Sequence, residues 1–163
     1  MSFVHLHVHS VYSLLDGASQ IDQLLDTVAA RGMNSVALTD HGVMFGALDF
    51  YRQARKKGIK PIVGCEFYLA PEGRTGKKSR PQDLYHLTLL AKNMQGYKNL
   101  LRLSSLGFLE GYYYKPRIDR EILQEYSSGL VCLSGCLSGE APSLILRGET
   151  GRARQAVEGL ARV

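Results

Sequence analysis

No window of the sequence approaches the roughly 18 apolar residues that a membrane-spanning helix needs, and the longest apolar runs, such as Leu87 to Ala91, have the length of a strand. The opening residues MSFVHLHVHS carry three histidines inside their only short apolar run. A secretory signal needs a charged start and an uninterrupted apolar middle, and both are missing. A soluble, cytoplasmic chain with no membrane partner is the expectation. Cysteine is scarce. Cys65, Cys132 and Cys136 are odd in number and lack CxxC spacing, which excludes a disulfide framework and a Cys-rich zinc finger and predicts reduced thiols. Internal repeats and low-complexity tracts are also absent.

What is present suffices for a core: 163 residues, 45% hydrophobic and 21% charged, fall within the size of one globular domain or part of one. Lys and Arg number 20 against 15 Asp and Glu, a formal charge of +5 that helps hold a polyanion without saying which one.

Short β-type runs alternate with helical patterns, the sequence form of βα units around a parallel sheet or barrel. Strands are predicted at Phe3 to His7, Ser35 to Leu38, Pro61 to Leu69, Leu87 to Ala91 and Leu130 to Leu133. A first helix starts after Ser19 as cap, presents Ile21, Leu24, Leu25 and Val28 on one face, and stops at Gly32. A second runs from about Phe45 to Lys57, with basic residues in its last turn and Gly58 as stop. The segment from Ala70 to Asp83 mixes Gly, Pro, Ser and basic residues and reads as an exposed loop. Further helices are expected around Tyr97 to Leu103, after Asp119, and at the end, where Ala153, Ala156, Val157, Leu160 and Ala161 share a face. This last pattern meets no stop signal, so residues 1–163 read as a fragment of a larger barrel with an unprotected sheet edge.

The residues suited to chemistry recur near strand ends. His7 and His9 are two apart in an extended run, so both imidazoles project from one face. Thr39-Asp40-His41 follows the strand SVAL, Glu66 sits within IVGCEF, and Asp16 in SLLDG adds an oxygen donor. One histidine near a strand is more often structural than a ligand; recurrence at successive strand ends is what favours a site.

The run LHVHS, then YSLLDGAS, LTDHG with FGALDFY, IKPIVGCEFY, HLTLLAKN with GYKNLLRL, and LSGCLSGE resembles, in order and over essentially the whole chain, the polymerase and histidinol phosphatase (PHP) domain that opens bacterial DNA polymerase III alpha subunits. The resemblance implies an α/β fold, here an incomplete, distorted seven-stranded βα barrel of TIM-like type, with ligands for up to three metal ions at its mouth. Carried over by motif, the ligands are His7, His9, Asp16, His41, Glu66, His86 and Cys136. A late Asp-x-His pair of the family would lie after Val163. Every matched position keeps a metal-competent side chain. Imidazole, carboxylate and thiolate together suit Zn, Mn or Fe better than Mg, and the implied reaction is metal-assisted phosphoester hydrolysis, including 3′-5′ exonuclease proofreading. Asp40 is expected to orient a ligand. Implied partners are DNA, the other domains of a polymerase alpha chain, and the replicase's proofreading subunit, sliding clamp and clamp loader. The alternatives are a stand-alone phosphatase of the histidinol-phosphatase type and a non-catalytic scaffold.

Other residues take plainer readings. His5 fits core packing or a hydrogen bond to a ligand, and Cys65 and Cys132 fit buried packing. His86 precedes the predicted fourth strand, at odds with a ligand at the barrel mouth. The tyrosines at 112–114 suit base stacking or a core or interdomain contact equally. Arg52, Arg55, Lys56 and Lys57 read as a solvated helix face.

Overall fold

The structure, a computed structural model, describes residues 3–14, 16–77 and 81–163. Its centre is a five-stranded mixed sheet: β1 (Ser35–Leu38), β2 (Lys60–Leu69), β3 (Tyr85–Ala91), β4 (Arg117–Ile118) and β5 (Leu130–Leu133). Around it lie α1 (Ile21–Ala30), α2 (Ala47–Lys56), α3 (Met94–Leu109), α4 (Arg120–Glu125), α5 (Glu140–Leu146) and α6 (Thr150–Ala161).

β2 organises the sheet. It pairs parallel with β1 over Lys60 to Val63, bridges to His41 at Glu66, and pairs parallel with β4 at Tyr68 and Leu69. β3 runs antiparallel to it, with Glu66 opposite Thr88 and Tyr68 opposite His86, and β5 is antiparallel to β3. The expected all-parallel series is therefore corrected. A parallel partner needs a crossover, usually a helix, and among the described residues between β2 and β3 the only helical turn is the 3-10 turn Pro81–Asp83, so the chain returns antiparallel.

The first predicted strand is also corrected. Residues from Phe3 to His9 are extended beside β1, where Ala37 N–H donates to His5 O and Thr39 N–H to Val8 O, both at 2.8 Å. Two steps along β1 thus oppose three along the N-terminal segment. The extra residue acts as a bulge, interrupts the ladder and re-aims the histidines.

Two apolar clusters frame the sheet. Cys65, Phe67, Leu69, Leu87, Leu89 and Ile118 meet Leu100 and Leu103 of α3 and Ile122 and Leu123 of α4. On the other side Ile21, Leu25 and Val28 of α1 meet Val36 and Leu38 of β1 and Phe50 and Ala54 of α2. Gly32 and Gly58 end α1 and α2 in the left-handed region, as expected, at φ 68 and 69. Ser19 does not cap α1; the cap position is Gln20, without a side-chain bond, while Ser19 bridges to Ser10. Asn93 and Asp119 do cap, accepting from Gly96 N–H and Ile122 N–H. α5 went unpredicted, and its Pro142 is accommodated in the first turn. Val157, expected on the buried face of α6, is 49% exposed.

Candidate metal centre

Glu66 sits mid-sheet with its side chain 1% exposed, and four imidazoles from three separate segments close on it. Its Oε1 lies 3.2 Å from His7 Nε2 and 3.0 Å from His86 Nδ1; its Oε2 lies 3.4 Å from His9 Nε2 and 2.7 Å from His41 Nδ1. Cys136 Sγ approaches from the loop after β5, 3.9 Å from Glu66 Oε1 and 3.8 Å from His86 Nδ1. Asp16 Oδ2 contacts the far nitrogen of His41 at 2.9 Å. All seven residues singled out from the sequence are thus brought to one place.

His86 resolves the conflict seen in the sequence. β3 begins at Tyr85, and because it is antiparallel to β2, its first residues lie at the end of the sheet where β1 and β2 finish. A residue that starts β3 therefore meets residues that follow β1.

Glu66 Oε1 pairs with His86 Nδ1 at 3.0 Å and Asp16 Oδ2 with His41 Nε2 at 2.9 Å, but other polar atoms of the cluster are left over. His7 Nε2, His9 Nδ1, His41 Nδ1 and Glu66 Oε2 are buried yet have no hydrogen-bond partner. Buried polar atoms are normally paired, so lone pairs that converge without bonding are suited to a cation between them. Two such groups stand out, His7 with His9 and Glu66, and His41 with Glu66 and His86, each with donor atoms within 4.8 Å of one another. Glu66 is common to both.

The electrostatics are consistent. Burial raises the Glu66 carboxyl, but the imidazoles of His41, His7 and His86 outweigh it and hold it well below the usual carboxylate range. His9 is lowered by burial and by the neighbouring His41, which favours its neutral, donor form. For His41 burial pulls downward, and its bonds to Glu66 and Asp16 reverse this to a net rise.

Asp40 touches none of the imidazoles among the described residues. Its Oδ1 accepts from Ser10 N–H at 2.6 Å and Ser13 Oγ at 2.7 Å, and its Oδ2 accepts from Ser10 Oγ at 2.8 Å. Ser13 Oγ in turn accepts from His41 N–H at 3.1 Å, so the carboxylate acts on His41 through a serine. His5 is exposed, its ring 4.7 Å from that of Phe3, which corrects the core reading. Cys65 is buried as expected, whereas Cys132 is exposed. The basic residues of α2 are exposed, with Lys57 paired to Asp26.

A cleft of about 730 Å³ opens beside Asp16, His41 and His86. Its walls carry Tyr12, Phe45, Tyr68, Phe108, Tyr112, Tyr114 and Lys115, most of which drew no functional reading from the sequence because they are far apart along it.

The sequence profile of the PHP domain matches residues 5–163. The chain is 53% identical over 160 residues to the DNA polymerase III subunit alpha of Treponema pallidum, covering 97% of this chain and 13% of the relative. It is 54% identical over 149 residues to that of Borreliella burgdorferi, covering 88% of this chain and 13% of the relative. Among solved structures, an amidohydrolase from Chromobacterium violaceum aligns at TM-score 0.44 and 21% identity, over 92% of this chain and 48% of the other. The chain thus spans 13% of the length of the two polymerase subunits it matches.

Proposed function

From the premise that this chain belongs to the PHP domain family, we propose that it is the N-terminal part of the PHP domain of a bacterial DNA polymerase III alpha subunit. The complete domain then hydrolyses phosphodiesters as a 3′-5′ exonuclease. About half identity to such subunits over nearly the whole chain supports the polymerase branch over a stand-alone histidinol-phosphatase type. The observation that carries the chemistry is the convergence of four imidazoles on Glu66 with buried nitrogens left unbonded.

His7, His9 and Glu66 would hold one divalent ion and His41, His86 and Glu66 a second. Asp16 and Cys136 stand at the flanks, and a late Asp-x-His pair in the closing part of the barrel, with its remaining strands, would complete a third. Zn, Mn and Fe match this donor set. Such ions supply Lewis acidity that polarises a phosphoryl oxygen and acidifies water near neutral pH. The chain's own groups hold that arrangement still: Asp40 fixes the loop of Ser10 and Ser13, and Tyr68 packs against His41 and His86 with ring centroids 5.9 and 5.2 Å away. In the reaction water adds to phosphorus, the bond to the preceding nucleotide's 3′ oxygen breaks, and a 5′-mononucleotide leaves.

DNA synthesis itself belongs to residues outside this chain. The partners are DNA, the remaining domains of the alpha subunit, and the proofreading subunit, clamp and clamp loader, in the bacterial cytosol. No helix among the described residues is long and apolar enough to cross a membrane. The test is the intact polypeptide purified without chelator: two or more transition-metal equivalents and metal-dependent release of nucleotides from a 3′-labelled single strand are expected. A metal-free, inactive protein would overturn the reading.

A further inference from the structure

Phe3 and Tyr51 apart, every exposed Phe or Tyr ring among the described residues lines one cleft beside the proposed metal centre: Tyr12, Phe45, Phe108, Tyr112 and Tyr114. Exposed rings are costly to leave in water, and gathering them at one place needs a reason. Their setting is built. Phe108 and Tyr112 stack on each other at 6.0 Å, and both line the cleft. Behind the segment that carries them, Arg117 is 1% exposed; its Nε donates to Gly111 O and its Nη2 to Arg74 O, both at 2.7 Å, and its guanidinium lies 5.3 Å from the Tyr113 ring. Tyr114 forms the apex of the turn at φ 61, closed by Tyr113 N–H donating to Lys115 O.

Lys115 adds the charge. Its ammonium donates to Tyr68 Oη at 3.0 Å and lies 4.6 Å from that ring's centroid, and no carboxylate among the described residues pairs with it. Tyr68 packs against His41 and His86, so one ring links this unmatched cation to the imidazoles, and Lys115 lines the cleft with Phe108 and Tyr112. At about 730 Å³ the cleft falls within the roughly 300–1,000 Å³ of small-ligand sites.

We propose that this cleft holds the terminal nucleotide of a single strand, with Lys115 on its phosphate and the Phe108–Tyr112 wall against its base. The proposal rests on the phosphodiesterase reading and names the residues that would select a nucleotide over a base-free phosphoester. Every base has a π-face, so stacking gives little preference among the four. The unpaired ammonium favours an anionic ligand over an apolar protein segment.

The test uses the intact, metal-loaded polypeptide and equilibrium binding of deoxyadenosine 5′-monophosphate, the class of product released, against deoxyribose 5-phosphate. The nucleotide should bind about tenfold or more tightly than the sugar phosphate. The double variant Phe108→Ala with Tyr112→Ala should erase that difference while leaving sugar phosphate affinity unchanged, and Tyr112→Phe, which keeps the ring, should retain it. Lys115→Met should weaken both ligands about tenfold. Binding as described without any hydrolysis of a 3′-labelled strand would leave this site standing and remove the exonuclease reading. Hydrolysis with equal affinity for the two ligands, or a preference that survives the double variant, would overturn the proposal and mark the aromatic wall as a protein contact.

Discussion

His41 Nδ1 lies 2.7 Å from Glu66 Oε2, a buried ion-pair contact at the centre of the four imidazoles. At that separation a nitrogen and an oxygen normally share a proton along the line between them. His86 brings a third donor atom within 4.8 Å of both, a spacing at which the three could hold one cation. Glu66→Gln keeps the shape and replaces an anionic oxygen pair by a neutral one. The intact protein carrying it should retain at least one metal equivalent fewer, with affinity for the rest reduced more than tenfold, as read by elemental analysis and chelator competition. Full occupancy would remove Glu66 from the ligand set.

The two-histidine segment gives a separate check. Ions that bind only the folded protein stabilise it by mass action, by about 2.7 kcal/mol when free metal is a hundred times Kd. His7→Ala with His9→Ala should therefore lower both metal content and melting temperature, and the loss in melting temperature should shrink once both proteins are stripped by chelator. A difference that survives stripping would assign these rings, whose centroids lie 4.8 Å apart, to packing.

His7, His9, Asp16, His41 and Glu66 were legible from their places near predicted strands, whereas His86 and Cys136 came only from the family resemblance; β1 and β5 fall at the predicted residues, and Glu66 lies within the predicted β2. Direction was not legible in the same way. The run from Ala70 to Asp83 contains no helical period, and this was itself the sign that β3 returns antiparallel and carries His86 to the donor end. The bulge between His5 and Val8 leaves no trace in the apolar pattern, since a single extra residue changes pairing and not composition. The aromatic cleft escaped because Tyr12, Phe45 and Phe108 meet only through the sheet. A closed seven-stranded barrel is not what the described residues form; they make five strands with β5 open at one edge.

Asp119 holds Arg74, in the segment between β2 and β3, and yields a pH dependence. Its Oδ1 accepts from Ile122 N–H at 3.2 Å, capping α4, and its Oδ2 accepts from Arg74 N–H at 2.9 Å, with the Arg74 guanidinium alongside. Burial raises this carboxyl, and the bonds from Arg74 and Ile122 outweigh it, so its folded pKa lies below the ordinary value. The stability it contributes is therefore complete above the unfolded value of about 3.9 and is lost as pH falls through the lower folded value. Asp119→Asn should cost about 1–2 kcal/mol near neutral pH, seen as faster amide exchange in α4 of the intact protein. The gap from wild type should close in strong acid. A gap that stays constant down to pH 2 would show that shape alone, not charge, holds the cap.

Gly17 tests how the loop of Asp16 is fixed. A Cβ built on Gly17 would stand 1.9 Å from Ser10 O and 2.9 Å from Ser13 Cβ, so the restriction is close approach of backbone and not a left-handed angle. Ser10 and Ser13 are the two residues that hold the Asp40 carboxylate, and Ser13 also accepts from His41 N–H. Gly17→Ala must push them aside. An overpacked site of this kind costs about 1–3 kcal/mol, and the displacement passes through Ser13 to His41 and through the chain to Asp16. Both lower stability and weaker metal binding are expected, although residue 17 offers no donor. Asp16→Asn is the informative comparison: its side chain is 60% exposed, so it should weaken metal binding at His41 while leaving the melting temperature of the chelator-stripped protein little changed. If Gly17→Ala leaves metal affinity untouched while stability falls, the Ser10–Ser13 clamp is a folding element only, and Asp40 has no part in placing His41.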